Sequence, residues 1–319
     1  MPCRSGGSAP ERTLAGFSTT VGGTIPGGDT PTFTLLTPEH RSIPILLSVP
    51  HAGRSYPFSL LAQMRNPART ALMLEDRYAD RLGEVIARET GATLLVAEAP
   101  RAMLDLNRAP DDVDWSMVAN GGGRVVTNSL ANRRARSGLG LVPRKLARLG
   151  EIWKDRLEAS ELRRRIEAIH TPYHAAIERI LAEMHDHWGA ALLIDLHSMP
   201  PVTGHGIERE GPHLVLGDRF GAACGGDLSA FALAQLGRSR RMAHNLPYAG
   251  GYILDRHGAP QRGIHAIQVE VCRSTYLDAG MRDIGIRFAA IARELAGYTR
   301  AIASEVIWLG QPQTGWAAE

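Results

Sequence analysis

Two histidines in this sequence come directly after runs of aliphatic residues. His51 closes the run IPILLSVPH, and His197 closes the run ALLIDLH. Each run is typical of a strand that is buried on both faces of an α/β sheet, and ligands bind just beyond the carboxyl ends of such strands. Neutral imidazole is a common metal ligand. The two phrases therefore predict that His51 and His197 meet at one metal site.

A carboxylate lies inside a third apolar run. Glu270 stands in HAIQVEVCR between Val269 and Val271, whose side chains point to the opposite face of a strand. An ionised glutamate is almost never buried without a partner. A metal and its water would supply that partner. Glu270 is then expected to accept a proton from the water.

A third metal ligand has to be found, because zinc in hydrolases usually has three protein ligands and one water. The segment LEDRYADRL offers Glu75, Asp76 and Asp80, and helical spacing would put Asp76 and Asp80 on one face. The residues alone leave this choice open. The phrase HTPYH at residues 170–174 is a weaker alternative, because it lacks the glutamate of HExxH and Pro172 is a poor residue for a helix interior.

Further polar residues are expected to support the metal and to bind the substrate. Asp195 lies two residues before His197 and therefore on the same face of the strand, where it is expected to accept a hydrogen bond from a ligand histidine. The segment RAMLDLNRAP contains Arg101, Asn107 and Arg108. The guanidinium fork of arginine matches a carboxylate, so these residues predict a binding site for a carboxylate.

Three irregular, polar segments are expected to form the walls of the site. They cover residues 109–142, 199–211 and 245–263. The pair Gly250–Gly251 in the last of them predicts either a mobile loop or a close approach of the backbone to a neighbour.

Strands and helices alternate along the chain, which predicts a sheet between two layers of helices. Residues 1–30 are rich in Gly, Pro, Ser and Thr and are expected to form a flexible N-terminal extension, followed by a single domain over residues 31–319. The predicted strands are Ile43–Val49, Thr93–Glu98, Ala190–His197, Leu214–Leu216 and Ile264–Cys272. The predicted helices are Arg69–Thr90, Arg144–His187 with a break near Pro172, Phe220–Leu236 and Met281–Ile307.

The composition narrows the class of protein. A net charge of +3 over 319 residues is too small to indicate nucleic acid or anionic lipid as a partner. No run approaches the roughly 18 apolar residues of a membrane span, and the N-terminus lacks the apolar core of a secretory signal. The three cysteines are far apart and predict no disulfide framework. These features predict a cytoplasmic protein, and no pattern indicates an oligomeric state.

Seven motifs occur in one order along the chain: PHAG (50–53), EDRYAD (75–80), LDLNRAP (104–110), TPYH (171–174), DLHS (195–198), YAGGYI (248–253) and GIHAIQVEVCRSTY (263–276). Together they resemble the N-formylglutamate amidohydrolase family from about residue 40 to residue 280. The resemblance implies a three-layer α/β/α fold of the zinc carboxypeptidase-like, phosphorylase/hydrolase-like type, with a mostly parallel or mixed central sheet. It also implies that the chain releases formate from N-formyl-L-glutamate during histidine degradation.

The resemblance also implies a role for individual residues. It assigns one Zn²⁺ per chain to His51, Asp76 and His197, and catalysis to Glu270. Asn107 and Arg108 would hold a substrate carboxylate. Beside the residues that the resemblance assigns, Arg101 and Arg273 are expected to be further cations for the substrate, and Asp195 is expected to support a ligand histidine. The chain differs from zinc carboxypeptidases in lacking their HxxE, because Arg54 stands three residues after His51.

Two alternatives remain beside this interpretation. One is another N-acyl amino acid deacylase, or a carboxypeptidase, on the same fold. The other is a metal-free protein that binds small carboxylates without catalysis. Glu270 beside two histidines at strand ends favours an enzyme, because binding alone needs no base.

Overall fold

A mixed β-sheet forms the centre of the protein. The computed structural model describes residues 12–40, 43–119, 133–202 and 210–311. The strands are Phe17–Gly22 (β1), Phe33–Pro38 (β2), Ile45–Val49 (β3), Thr93–Ala97 (β4), Val118–Ala119 (β5), Lys145–Leu146 (β6), Gly150–Glu151 (β7), Leu157–Glu158 (β8), Ala191–Met199 (β9), Leu214–Gly217 (β10), Met242–His244 (β11) and Ile264–Cys272 (β12). In the described part of the chain, the main sheet has the order β1-β2-β4-β3-β9-β12-β10-β11.

The central strands of this sheet are parallel. β4, β3, β9 and β12 are successive parallel neighbours, whereas β2 and β10 join them antiparallel on the two sides. Parallel strands end at the same edge of a sheet, so the residues that follow β3, β4, β9 and β12 meet there. The predicted mixed sheet is confirmed.

Helices cover both faces of the sheet. They are Phe58–Gln63 (α1), Pro67–Leu74 (α2), Ala79–Thr90 (α3), Arg133–Arg136 (α4), Ala159–Arg165 (α5), Thr171–Trp188 (α6), Gly226–Leu236 (α7), Tyr252–His257 (α8) and Phe288–Gly310 (α9). Helices α3, α7 and α9 share one hydrophobic core with the sheet, and α5, α6 and α8 share the other. This is the predicted three-layer α/β/α architecture.

Because side chains alternate along a strand, His197 on β9 and Glu270 on β12 point to the same face of the sheet. On β9, Leu193 packs in the core with α6, whereas Ile194 packs in the core with α9. His197 therefore points to the α6 face. On β12, Val269 packs in the α9 core, so Glu270 also points to the α6 face.

The predicted helix over Arg69–Thr90 is wrong in its middle. The segment forms two helices, α2 and α3, separated by residues 75–78, and Tyr78 has a left-handed φ of 58°. In the break, the N–H of Asp76 donates to the carbonyl of His51 at 2.8 Å. Asp76 and Asp80 therefore do not share a helix face, because Asp76 precedes α3 and Asp80 lies in its first turn.

The segment predicted as a helix over Arg144–His187 is helical only from Ala159. Its first part forms the short strands β6, β7 and β8. A π-helical turn, Ile166–His170, joins α5 to α6, and this turn lets the helix continue past Pro172, which has no N–H to donate. The helices predicted over Phe220–Leu236 and Met281–Ile307 begin later than expected, at Gly226 and Phe288.

Part of the segment predicted as a flexible extension, residues 1–30, belongs to the sheet. β1 pairs antiparallel with β2, and the Arg12 guanidinium donates to Asp80 at 2.8 Å and to Glu98 at 2.5 Å. The sequence does not predict β1 because FSTTVG exposes four consecutive side chains and shows no apolar alternation. Residues 1–11 lie outside the described residues.

Two of the segments expected to form walls are described only in part, because residues 120–132 and 203–209 lie outside the described ranges. Across the ranges that are described, no helix is both long and apolar enough to cross a membrane.

Candidate active site

His51 lies in the turn after β3, and its ring is buried. Its Nε2 is 2.6 Å from Oδ1 of Asp105. Its Nδ1 is also buried but has no hydrogen-bond partner among the described residues. A buried polar atom without a partner costs free energy. Nδ1 of His51 is therefore the nitrogen that a ligand would stabilise.

His197 lies on β9, with both ring nitrogens next to carboxylates. Its Nε2 donates to Oδ2 of Asp195 at 2.7 Å, because strand alternation puts residues 195 and 197 on one face. Its Nδ1 lies 3.0 Å from Oδ2 of Asp76. Asp195 is thus located where the sequence predicts it, in contact with a candidate ligand histidine.

Asp76 lies between the two histidines because the chain breaks between α2 and α3. Its Oδ2 lies 3.6 Å from Nδ1 of His51 and 3.0 Å from Nδ1 of His197. The adjacent Glu75 turns the other way and makes an ion pair with Arg77 at 3.1 Å. The geometry therefore favours Asp76 over Glu75 as the third ligand.

These residues create a negative environment in the interior. Four buried carboxylates surround the two imidazole rings: Asp76, Asp105, Asp195 and Glu270. Burial raises the pKa of Asp76, but the interactions of this carboxylate with His197 and His51 outweigh burial and hold that pKa well below its usual range. Ionised carboxylates in such a site require a compensating positive charge.

The arrangement fits a metal ion held by three side chains. One ligand atom from each of His51, Asp76 and His197 lies within 4.8 Å of the other two. Because the Nε2 atoms of both rings bond to carboxylates, the Nδ1 atoms remain as ligand atoms, and the carboxylates fix ring orientation and tautomer. Two histidines and one carboxylate are a donor set typical of catalytic zinc.

Glu270 lies next to this group of ligands. It is aligned with His197 on the neighbouring strand β9, and Nε2 of Gln268 donates to its Oε1 at 2.8 Å. Burial raises the pKa of Glu270 to about 7, although the charge of His197 opposes the shift. A carboxylate with a pKa near neutrality can both accept and return a proton.

The sequence of the chain matches one family over most of its length. The N-formylglutamate amidohydrolase family matches residues 43–277. An N-formylglutamate deformylase of Pseudomonas aeruginosa is 30% identical over 263 residues, which are 79% of this chain and 91% of that protein. The chain belongs to the N-formylglutamate amidohydrolase family. The resemblance drawn from the seven motifs is confirmed, and so is the prediction of an enzyme that hydrolyses an amide.

Solved structures agree with membership of the N-formylglutamate amidohydrolase family. The crystal structure of an N-formylglutamate amidohydrolase from Ralstonia eutropha JMP134 matches with a TM-score of 0.76 and 30% identity, covering 86% of this chain and 98% of that chain. A protein from Agrobacterium tumefaciens that is 20% identical matches with a TM-score of 0.60 and shares the fold.

Two of the arginines predicted to bind substrate already have carboxylate partners. Nη2 of Arg273 donates to Oδ1 of Asp76 at 3.3 Å and to the carbonyl of Glu75 at 2.6 Å, so Arg273 holds the segment that carries the candidate ligand. Nε and Nη2 of Arg101 both lie 2.9 Å from Oδ2 of Asp105. The Arg101 side chain is 20% exposed, so part of it faces solvent.

Arg108 is a cation without a carboxylate partner in the described part of the chain. Its Nε donates to the carbonyl of Leu139 at 3.0 Å, and its Nη1 donates to the carbonyl of Asn107 at 2.6 Å. Burial lowers the pKa of Arg108. An anionic ligand would offset the cost of burying this charge, so the predicted role of Arg108 stays a prediction that its surroundings favour.

Asn107 is buried, and its side chain bonds to other residues of the protein. Its Oδ1 accepts a hydrogen bond from the N–H of Ile253 at 2.9 Å. A Cβ atom at Gly251 would lie 2.4 Å from that oxygen, so the glycine pair provides the close backbone approach that was one of its two predicted roles. The Nδ2 of Asn107 points to Gln268, at 3.3 Å from its Oε1.

The sequence interpretation missed Asp105 and Gln268 as parts of the site. Asp105 lies within the motif LDLNRAP, and the signal that would have found it is the carboxylate that a ligand histidine such as His51 requires. Gln268 is two residues before Glu270 and therefore on the same strand face. A polar residue at that spacing from a buried glutamate is a signal for a hydrogen-bond partner.

The phrase HTPYH contributes to a second group of histidines, separate from the metal-ligand group. His170 and His174 donate from Nε2 to the carbonyls of Arg108 and Leu106, each at 3.0 Å. Nδ1 of His174 lies 2.9 Å from Nε2 of His257. We call His170, His174 and His257 the histidine cluster. It supports the backbone on both sides of residue 107.

Proposed function

We propose that the chain is a zinc-dependent amidohydrolase that converts N-formyl-L-glutamate and water into formate and L-glutamate. The observation that carries the proposal is the meeting of two carboxylate-supported imidazoles and Asp76 beside the buried carboxylate of Glu270. The substrate follows from the relatives in Pseudomonas aeruginosa and Pseudomonas putida, which are N-formylglutamate deformylases. A place in histidine degradation in the cytoplasm belongs to the same proposal.

The ligands of one zinc ion would be His51, Asp76 and His197. When bound, zinc acidifies water and polarises the carbonyl of an amide. Arg273 would keep Asp76 in place through its hydrogen bond to Oδ1, at 3.3 Å. Asp105 and Asp195 would keep the imidazole rings in the tautomer whose Nδ1 carries the lone pair.

Glu270 would move the proton in the reaction. Its carboxylate accepts a proton from the attacking water as the new C–O bond forms at the formyl carbon. It then gives the proton to the amide nitrogen as the C–N bond breaks, which leaves formate and the amino group of glutamate. The burial that raises the pKa of Glu270 to about 7 suits both steps.

Arg108 would bind a carboxylate of the substrate. It is a half-buried cation that donates to two backbone carbonyls and has no ion pair with a described residue. A substrate carboxylate would provide the missing negative charge and would fix the amide relative to Glu270. Arg101, which is partly exposed, would add positive charge near the same carboxylate.

A substrate screen on the purified protein tests the proposal. N-formyl, N-acetyl and N-succinyl derivatives of glutamate, together with a C-terminal peptide, are assayed with metal content measured on the same sample. We expect one zinc ion per chain and the highest kcat/KM for N-formyl-L-glutamate. The matched control is Glu270→Gln, which should bind zinc and lose turnover.

The alternatives give other results in this screen. Preference for an acetyl, succinyl or peptide substrate would indicate another deacylase or a carboxypeptidase on the same fold. Absence of both metal and turnover, with carboxylate binding retained, would indicate a binding protein and overturn the proposal.

A further inference from the structure

The buried carboxylate of Glu270 stands at the end of a continuous line of hydrogen bonds. The N–H of Ile253 donates to Oδ1 of Asn107 at 2.9 Å. Nδ2 of Asn107 donates to Oε1 of Gln268 at 3.3 Å. Nε2 of Gln268 donates to Oε1 of Glu270 at 2.8 Å. We call Asn107 and Gln268 the amide pair.

The chemistry of the two ends fixes the direction of every bond in this line. The backbone N–H of Ile253 can only donate, so the oxygen of the Asn107 amide must face it. The nitrogen of Asn107 then faces Gln268 and meets the Gln268 oxygen. The nitrogen of Gln268 is left to face Glu270, whose ionised carboxylate can only accept. No amide in the line can be flipped without two donors or two acceptors meeting.

The amide pair is held from several directions. Both residues are buried, Asn107 at 5% and Gln268 at 4% exposure, which leaves little room for another rotamer. Gln268 lies on the central strand β12, and Asn107 lies where the backbone of Gly251 approaches closely. The histidine cluster bonds to the carbonyls of the residues on either side of Asn107. The pair is therefore rigid relative to the sheet.

The second hydrogen of Nδ2 of Asn107 points toward Asp195 and His197. Nδ2 lies 3.4 Å from Oδ2 of Asp195 and 3.3 Å from Nε2 of His197. Because Nε2 of His197 donates its own hydrogen to Asp195, only the carboxylate can accept from Asn107. Asn107 thus bonds both to Gln268, the partner of Glu270, and to Asp195, the partner of His197, and it has no donor hydrogen left for a substrate carboxylate.

We infer that Gln268 and Asn107 are positioning residues that fix the carboxylate of Glu270 relative to the candidate metal ligands, and that Asn107 does not bind the substrate. This inference rests on the proposed role of Glu270 as the base. A base displaced by about 1 Å loses on the order of 10²-fold in rate. The amide pair should therefore affect kcat, whereas KM should depend on the arginines.

A double-mutant cycle tests the inference. Gln268→Met keeps the length of the side chain and removes both of its hydrogen bonds. With Glu270 present, it should lower kcat for N-formyl-L-glutamate by roughly 10- to 100-fold, with KM and zinc content unchanged. In the Glu270→Gln background it should lower kcat by less than about twofold, because residues that act through one another are not additive.

A matched control and a second variant complete the test. His265→Leu removes a buried polar side chain from the same strand, where His265 accepts a hydrogen bond from Gly225, on the opposite face. Its effect on kcat should be small and equal in both backgrounds. If thermal unfolding shows that Gln268→Met does not fold, Gln268→Leu, which also has neither donor nor acceptor, replaces it in the cycle.

The outcomes separate this inference from the proposed function. Equal losses from the Gln268 substitution in both backgrounds, or no loss in either, would overturn the positioning role while leaving Glu270 as the base. A rise in KM without a change in kcat in an Asn107→Leu variant would restore Asn107 as a substrate contact. Near-normal turnover of Glu270→Gln alone would overturn the proposed base and, with it, the inference.

Discussion

Nδ1 of His51 lies 3.6 Å from Oδ2 of Asp76 and has no hydrogen-bond partner among the described residues. The same ring is fixed at its other nitrogen by Asp105, at 2.6 Å. A protein gains nothing in stability from orienting a buried nitrogen toward a carboxylate without bonding to it. A cation between the two atoms accounts for the arrangement, because it would bond to both.

Asp76→Ala is expected to lose bound zinc, and Glu75→Ala is expected to keep it. Asp76 faces both histidines, whereas Glu75 faces Arg77. Removing one of three protein ligands should lower metal affinity far more than removing a neighbour. Metal content after dialysis against a chelator measures the difference. The opposite pattern would move the ligand to Glu75.

Asp105→Asn should weaken zinc binding by roughly 10- to 100-fold, as expected for the partner of a ligand histidine. The substitution keeps an oxygen that can accept from Nε2 of His51 and removes the negative charge. Titration of the apo-protein with zinc gives the affinity. An exposed carboxylate such as Asp186 on α6, changed to Asn, is the matched control and should not alter it. Unchanged affinity in Asp105→Asn would remove Asp105 from the metal site.

The sequence predicted the fold to the extent that apolar runs define buried strands. The run ending at His197 and the run around Glu270 predicted β9 and β12, because a strand that is buried on both faces is a continuous run of apolar residues. β1 gave no such signal, since its side chains are largely exposed. The break before α3 was also missed, because helical periodicity continues across residues 75–78 although the backbone does not.

The two candidate ligand histidines and one of their partners, Asp195, could be predicted from the sequence, but Asp105 could not. His51 and His197 are recognisable because each follows an apolar run. Asp105 stands in an ordinary loop position 54 residues after His51, and only the three-dimensional structure shows that the two residues are in contact. Contacts between residues far apart in sequence leave no local pattern.

Glu270→Gln should retain zinc, fold and substrate binding, and should lose roughly 10²–10⁴-fold in kcat, the usual contribution of a general base. Glutamine preserves the shape of the side chain and accepts the hydrogen bond from Gln268, but it does not accept a proton from water. Steady-state kinetics measure the loss in kcat, and metal analysis of the same preparation measures the zinc that is retained. Turnover close to that of the wild type would assign proton transfer to another residue.

Arg108→Lys should impair the enzyme even though it keeps the positive charge, because lysine lacks the planar fork that matches a carboxylate. The loss in kcat/KM should be largest for N-formyl-L-glutamate and smaller for its α-amide. Arg164→Lys, an exposed arginine on α5 that pairs with Glu161, is the control and should have no effect. An equal loss on both substrates would refute carboxylate binding by Arg108.

The histidine cluster should make the protein sensitive to mild acid. Burial lowers the pKa of His174 to about 2, of His257 to about 3 and of His170 to about 4, whereas an unfolded chain protonates histidine near 6.5. The folded state therefore binds fewer protons than the unfolded state in this range. The contribution of the cluster to stability is complete above pH 6.5 and is lost progressively as the pH falls toward 4.

His257→Gln should reduce this sensitivity, because it removes one group that protonates only on unfolding and replaces it with a side chain that can still donate to His174. Between pH 7.5 and pH 5.5 the free energy of unfolding should fall by about 1.4 kcal/mol less than in the wild type. The carboxylates are the same in both proteins, so their contribution cancels when the two proteins are compared. Urea unfolding of both proteins at pH 7.5 and pH 5.5, at equal metal loading, measures this change in the free energy of unfolding. His187→Gln, an exposed histidine on α6, is the matched control and should follow the wild type. Identical pH dependence in His257→Gln and the wild type would show that the cluster is not buried in its neutral form.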